Sequence, residues 1–209
     1  MIKRDGLYPL QQIIHENPPM QEVPDVKKPH ISQEAVVSAG SIIIGDVTIA
    51  EDAFVGFHAI IRSDSSYPMF IGPRTNIQDY VLIHCHPAEY IEVGEKPMGV
   101  FIEDSVSILH HAAPHGPLFI GRNTFIGQHV SIYGALIGRD CVIMHGAVIC
   151  NYVKIGDHRF VEPGQVVSTQ EQADALPAVP ETYKHLNGSI VDHYYRLGKS
   201  YRETTNLFL

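Results

Sequence analysis

Aliphatic residues recur at every sixth position over most of the chain, and glycine follows several of them, as in Ile71-Gly72 and Ile120-Gly121. The repeated positions are Val37, Ile43, Ile49, Val55 and Ile61, then Ile71, Ile77 and Ile83, then Ile102 and Ile108, then Ile120, Ile126 and Ile132, and finally, after one shorter step, Ile137, Ile143, Ile149, Ile155, Val161 and Val167. The pattern therefore indicates an internal repeat of six residues.

A period of six matches neither the 3.6-residue period of an α-helix nor the simple alternation of a single strand. It is typical of a solenoid of short parallel strands, with a corner after each hexapeptide and each aliphatic side chain directed into a shared core. We expect a mainly β fold, a parallel β-helix with three hexapeptides per turn and about six turns between Val37 and Val167. A sandwich with evenly spaced strands is the alternative.

The repeat divides the chain into three segments. Residues 1–30 contain five prolines and predict an extended N-terminal arm, residues 31–167 predict the β-helix, and residues 168–209 predict a C-terminal helical segment. In the last segment, Ser168 and Glu171 have capping-box spacing for a short helix that ends at Pro177, and a second helix is expected at about residues 187–205. Two insertions, after Ile61 and after Ile83, predict loops that leave the solenoid.

Composition limits the classes of function. Of 209 residues, 44% are apolar and 18% charged, and the net charge of −8 disfavours nucleic acid and anionic membrane surfaces as partners. No apolar stretch approaches the roughly 20 residues of a transmembrane helix, and the first residues lack the apolar region of a signal peptide. Three cysteines without framework spacing suit a reducing compartment. We therefore expect a cytoplasmic protein.

Histidine, the commonest metal ligand, occurs thirteen times. His84 and His115 each directly follow an inward position, so the solenoid should stack them on one face, whereas His110 has a different phase. A neighbouring subunit could supply His110 across a symmetric interface. Three imidazoles with an open fourth position are typical of catalytic zinc. The alternative is that these are ordinary solvated or core histidines.

These histidines are part of a series of short motifs along the chain. In order, the motifs are Ile61-Arg62-Ser63-Asp64, Ile71-Gly72, Thr75-Asn76-Ile77-Gln78-Asp79, His84, His110, His115-Gly116-Pro117, Val167-Ser168-Thr169-Gln170 and Ala173-Asp174-Ala175-Leu176-Pro177. Over roughly residues 30–205 the chain thereby resembles the archaeal and carboxysomal branch of the gamma-class carbonic anhydrase family. The resemblance implies a left-handed β-helix with a C-terminal α-helix. It also implies a homotrimer with three metal sites at subunit interfaces, acting on carbon dioxide and bicarbonate.

The resemblance also implies roles for individual residues. The metal ligands would be His84, His110 and His115, with His110 from the adjacent subunit; Gln78 would orient the attacking water with support from Asn76; Arg62 and Asp79 would pair across the interface; and Asp64 would lie beside the site. Zinc is the expected metal, with ferrous iron and cobalt as alternatives that ligand type does not separate.

The chain departs from the family pattern where protons leave the site. The best-studied branch has glutamates at the positions of Ser65 and Pro87. In that branch the glutamates carry protons away from the metal site. In this chain the proton shuttle is expected to be Glu89, another glutamate of the long loop (Glu92, Glu95) or His86, or to be absent. Alignment of the tails places Asp192 and Tyr194 where the family has a tyrosine and an asparagine near the site.

Three functions stay open from the sequence. The first is carbonic anhydrase, and the second is a catalytically silent homologue that serves as a bicarbonate-binding or assembly scaffold. The third is a hexapeptide acyltransferase, because the same solenoid hosts such enzymes and a fold does not fix a function.

Overall fold

A computed structural model describes residues 12–204 of the chain. The start of the predicted arm, residues 1–11, and the end of the predicted C-terminal segment, residues 205–209, lie outside the described residues. The described part is a parallel, left-handed β-helix with a helix along its side, as predicted.

The β-helix has three faces, numbered in the order in which the chain passes through them in each turn. The first face contains β1 (Ile13–His15), β4 (Ile42–Gly45), β7 (Ile60–Ser63), β10 (Leu82–His84), the first parts of β15 (Ala113–Ile120), β17 (Ser131–Ile137) and β19 (Val148–Ile155), and β21 (Val166–Val167). The second face contains β2 (His30–Ile31), β5 (Val47–Ile49), β8 (Met69–Ile71), β13 (Val100–Ile102) and the last parts of β15, β17 and β19. The third face contains β3 (Val36–Val37), β6 (Phe54–Val55), β9 (Asn76–Ile77), β14 (Ser107–Ile108), β16 (Phe125–Ile126), β18 (Val142–Ile143) and β20 (Phe160–Val161).

Strands on all three faces pair in register with the strand one turn away, so equivalent residues stack. On the first face Ile43 pairs with Ile61, and on the third face Ile108 pairs with Ile126. The inward aliphatic side chains are almost completely buried and form one continuous core, which explains the six-residue period. Within the described residues the solenoid makes about eight turns, because β1 and β2 extend it before the stretch from which six were predicted.

The long insertion after Ile83 forms a small antiparallel hairpin of β11 (Ile91–Val93) and β12 (Lys96–Met98). The shorter insertion after Ile61 forms a loop between β7 and β8. The sequence predicted that both loops leave the β-helix, and the structure places them at the corner between the first and second faces.

The C-terminal segment comprises α1 (Gln170–Asp174), a 3-10 turn (Glu181–Tyr183) and α2 (Leu186–Thr204). The turn and α2 cover the third face, whereas α1 packs on β19 and β21 and buries Ala173 against the end of the core. The capping box of α1 is formed by Thr169 and Gln172, one residue after the predicted pair Ser168 and Glu171, because the chain becomes helical only at Gln170. None of the described helices is long and apolar enough to cross a membrane.

One side of α2 packs on the outward aromatic side chains of the third face. Tyr194 and Tyr201 both pack against Phe54, with ring centroids 5.1 and 6.2 Å apart. Near the start of α2, Leu186 and Ile190 pack with the cluster that contains Phe125.

Candidate active site

Two of the predicted ligands, His84 and His115, lie side by side. His84 is the last residue of β10, and His115 lies within β15. The two residues are direct partners in the parallel pairing of these strands on the first face. Nδ1 of His84 is 3.2 Å from Nε2 of His115, and the rings meet edge to face with centroids 5.0 Å apart. The register of the solenoid therefore joins two imidazoles that are 31 residues apart in the sequence.

Neighbouring groups fix the protons on both rings. Nδ1 of His115 lies 2.7 Å from the backbone oxygen of Gly116, which can only accept, so this nitrogen carries the proton and Nε2 keeps its lone pair. Nη2 of Arg62, which can only donate, lies 3.2 Å from Nε2 of His84. Nδ1 of His84 then donates to Nε2 of His115. Each ring thus holds one unprotonated nitrogen, Nε2.

Arg62 and Asp64 complete this half of the site. Nε of Arg62 donates to Oδ2 of Asp64 at 2.7 Å, and the same carboxylate oxygen lies 3.5 Å from Nε2 of His84. Burial, with the positive charge of Arg62 and the neighbouring His115, lowers the pKa of His84 despite the opposing charge of Asp64. A lowered pKa favours the neutral imidazole, the form that binds metal.

A second group of predicted residues forms around β9 and β14. Nδ2 of Asn76 donates to the hydroxyl of Ser107 at 2.8 Å, and Nε2 of Gln78 donates to Oδ1 of Asn76 at 3.0 Å. Asn76 and Gln78 are buried, which makes this a fixed network whose Gln78 oxygen remains an acceptor. Beside it, Oδ2 of Asp79 faces Nδ1 of His110 at 3.5 Å. A carboxylate on one imidazole nitrogen orients the other nitrogen as a ligand.

The helix α2 brings Tyr194 to this second group. Burial raises the pKa of Tyr194 to about 12, and the negative charge of Asp79 contributes to the rise. Asp192, the other residue aligned with the family's tail positions, instead pairs with Arg74 at 2.8 Å on the exposed side of the helix. Tyr194 is therefore the member of that pair that lies near candidate site residues.

One neighbour of the histidine pair, Tyr133, was not predicted from the sequence. Tyr133 stacks on His115, with ring centroids 4.7 Å apart, and it is the direct partner of His115 in the pairing of β15 with β17. The available signal was its position 18 residues, one full turn, after His115.

The loop beside the pair contains the residues that depart from the family pattern. The hydroxyl of Ser65 lies 3.4 Å from the backbone oxygen of Pro87, so these two positions adjoin each other. Glu89 accepts a hydrogen bond of 2.9 Å from the hydroxyl of Tyr152. Cys85 is fully buried, and burial raises the pKa of its thiol to about 11, which leaves it a neutral core residue rather than a thiolate ligand.

The two groups lie at opposite edges of the first face. His110 and Asp79 stand at the corner that precedes it, whereas His84 and His115 stand towards its far end. Among residues 12–204, no three His, Cys, Asp or Glu side chains are close enough together to hold a metal ion. Arg62 pairs with Asp64 inside the chain, while Asp79 accepts from the backbone amide of Phe57. The described residues thus form two separate groups of candidate site residues.

Comparison with known proteins gives relatives along most of the chain, although no protein-family model matches it. A carbonic anhydrase from Methanosarcina thermophila is 34% identical in an alignment of 204 positions that covers 92% of this chain and 82% of that protein. The carboxysome assembly protein CcmM from a Nostoc species is 34% identical over 163 residues, which are 78% of this chain but only 29% of that protein. Among solved structures, a hexapeptide transferase family protein from Anaplasma phagocytophilum superimposes with a TM-score of 0.70, covering 90% of this chain and 98% of that one at 18% identity. The last comparison concerns the fold alone.

Proposed function

The chain belongs to the gamma-class carbonic anhydrase family, and from that premise we propose that it catalyses the metal-dependent, reversible hydration of carbon dioxide to bicarbonate and a proton. The observation that carries the proposal is the register pair of His84 and His115, whose Nε2 atoms hold lone pairs and whose rings are held by polar partners.

The assembly that completes the site follows from the two half-sites. The first face turns an apolar row outward, in which Leu82 is 44% and Val166 is 52% exposed. Placing the first faces of three chains around a three-fold axis buries this row. It also brings the edge that carries His110 and Asp79 in one chain to the edge that carries His84 and His115 in the next. His110 would then join His84 and His115 of a neighbouring chain. We therefore propose a homotrimer with three shared sites.

The donor set fits a first-row divalent metal. Three neutral imidazoles suit zinc, with ferrous iron and cobalt as alternatives, and the fixed proton on Nδ1 of His115 leaves its Nε2 as the ligating atom. When bound, zinc acidifies its water ligand, a property for which carbonic anhydrase is itself the standard example.

The remaining residues position the reactants. Gln78, held by Asn76, offers its side-chain oxygen to the attacking water and so sets the direction of attack. In the absence of metal, Arg62 donates to Nε2 of His84 and so orients its ring, and the bond to Asp64 orients Arg62 in turn. A bound metal would replace Arg62 at this nitrogen. Pairing of Arg62 with Asp79 of the neighbour would favour a single arrangement of the subunits.

A catalytically silent homologue that binds bicarbonate or organises an assembly is the second candidate. It is favoured by Ser65 and Pro87, which place no carboxylate where the family's best-studied branch has its shuttle glutamates, and by the likeness to a carboxysome assembly protein. Three free cysteines suit a cytoplasmic location for either function.

Stopped-flow measurement of carbon dioxide hydration separates the two. The purified protein is loaded in parallel with zinc and, without oxygen, with ferrous iron, and metal is quantified per chain. Hydration well above buffer with about one metal per chain supports the enzyme. A fully loaded protein without activity supports the silent homologue, and a protein that binds no metal contradicts the site.

A further inference from the structure

A cavity of about 510 Å³ lies at the other side of the molecule, between the third face, the 3-10 turn and the start of α2. Its walls come from Asn123, Asp140, Val142, Val179, Tyr183 and Asn187, among others. None of the proposed catalytic or metal-binding residues lines it, so the cavity has no part in the proposed reaction.

The cavity contains a buried acceptor without a partner. Asn187 is only 4% exposed, and its Oδ1 has no hydrogen-bond partner among the described residues. Leaving a buried acceptor unpaired is unfavourable, so native proteins seldom do so without a reason.

The direction of this amide follows from its neighbours. Nδ2 of Asn187 donates to the backbone oxygen of Ser105 at 2.8 Å and to Oδ1 of Asn123 at 3.0 Å. Nδ2 of Asn123 in turn donates to a carboxylate oxygen of Asp140 at 2.7 Å. Because the Ser105 and Asp140 oxygens can only accept, neither amide can be reversed without losing a bond. The orphan is therefore an oxygen, and it requires a donor.

The Asp140 carboxylate, which lines the cavity together with Asn187, favours a positively charged donor. No lysine or arginine of the described residues forms an ion pair with Asp140, whose nearest basic partner is Nδ1 of His158 at 3.8 Å. Lys184, which also lines the cavity, is paired with Glu181. The cavity wall thus holds two acceptors, Oδ1 of Asn187 and the Asp140 carboxylate.

Other residues of the cavity wall are apolar or aromatic. Val142 is buried, Val179 packs against the same cluster, and Tyr183 stacks on Phe160 with ring centroids 5.3 Å apart. We propose that the cavity binds a small primary ammonium compound, which donates to Asn187 and Asp140 and lays its hydrocarbon part against Val142, Val179 and Tyr183.

Titration with n-butylammonium chloride tests the proposal, with n-butanol and tetramethylammonium as matched probes and the full chain in its native assembly. We expect a saturable shift of the Asn187 side-chain amide resonances with n-butylammonium alone, because n-butanol lacks the charge and tetramethylammonium lacks the N–H donors. Asp140→Asn, which can still accept from Asn123, should weaken the binding about tenfold, whereas Glu51→Gln on another corner should not.

Four outcomes would overturn the proposal: no saturable shift, equal shifts with n-butanol, equal shifts with tetramethylammonium, or equal binding by the Asp140→Asn variant. The first would leave ordered water as the partner of Asn187, and the second would identify only an apolar cavity. Carbon dioxide hydration, measured on the same samples, is independent of all these results.

Discussion

Nδ1 of His84 lies 3.2 Å from Nε2 of His115, although the hairpin of β11 and β12 intervenes between them in the chain. The contact exists because β10 and β15 are neighbouring strands of the first face, so the insertion leaves the register of the solenoid unchanged. His110, only five residues before His115, lies across a corner at the other edge of that face. The proposed metal site is therefore divided between chains, and its halves can be altered separately.

Subunit mixing tests this division. His84→Ala removes one half-site and His110→Ala the other, so each variant alone should bind little metal and show little activity. Refolding them together should restore activity at about a quarter of the interfaces, where an intact half from each variant meets. His30→Gln, an exposed histidine of the second face, is the control and should keep full metal content. A mixture as inactive as its components would contradict a shared site.

The buried thiol of Cys141 gives a prediction about reactivity and pH. Burial raises its pKa to about 11, and its Sγ lies 3.1 Å from the backbone oxygen of Gly156. Because the thiolate is the reactive form, iodoacetamide should modify Cys141 very slowly at pH 8, and the rate should rise about tenfold per pH unit towards pH 11. Peptide mass spectrometry measures the rate, with the same protein unfolded in guanidinium chloride as the comparison. Equal rates for Cys141 in the folded and the unfolded protein would show that the thiol is not held in the core.

The sequence alone predicted the β-helix, because an inward aliphatic side chain at each sixth position leaves few other ways to bury the chain. It also placed His84 and His115 together, since both follow inward positions of one face. The capping residue was missed by one position, because Ser168 and Thr169 are chemically equivalent as caps. The bond from Tyr152 to Glu89 could not be predicted, since it depends on how a long loop folds back over the prism.

Gln78 should affect turnover more than metal binding. Gln78→Leu keeps the approximate volume but removes the acceptor and the bond to Asn76. We expect kcat for carbon dioxide hydration to fall by about 10–100-fold, the usual range for a residue that orients a metal-site group, with metal content and KM little changed. Gln128→Leu, an exposed glutamine on another turn, is the matched control. Loss of metal in Gln78→Leu would instead indicate a structural role.

A charged substitution on the first face should leave the single chain folded but prevent its assembly into a trimer. Leu82 is 44% exposed on β10, with its side chain directed away from the core, so Leu82→Glu should leave the solenoid folded. In a trimer packed through this face, three carboxylates would meet near the axis, where burial without partners is strongly unfavourable. Sedimentation velocity should therefore show monomers of Leu82→Glu with native circular dichroism and without bound metal, because each monomer keeps only half-sites. Thr48→Glu, on the outward side of the second face, is the control and should remain trimeric and metal-loaded. Trimers of Leu82→Glu, or monomers that still bind metal, would each contradict an interface through the first face.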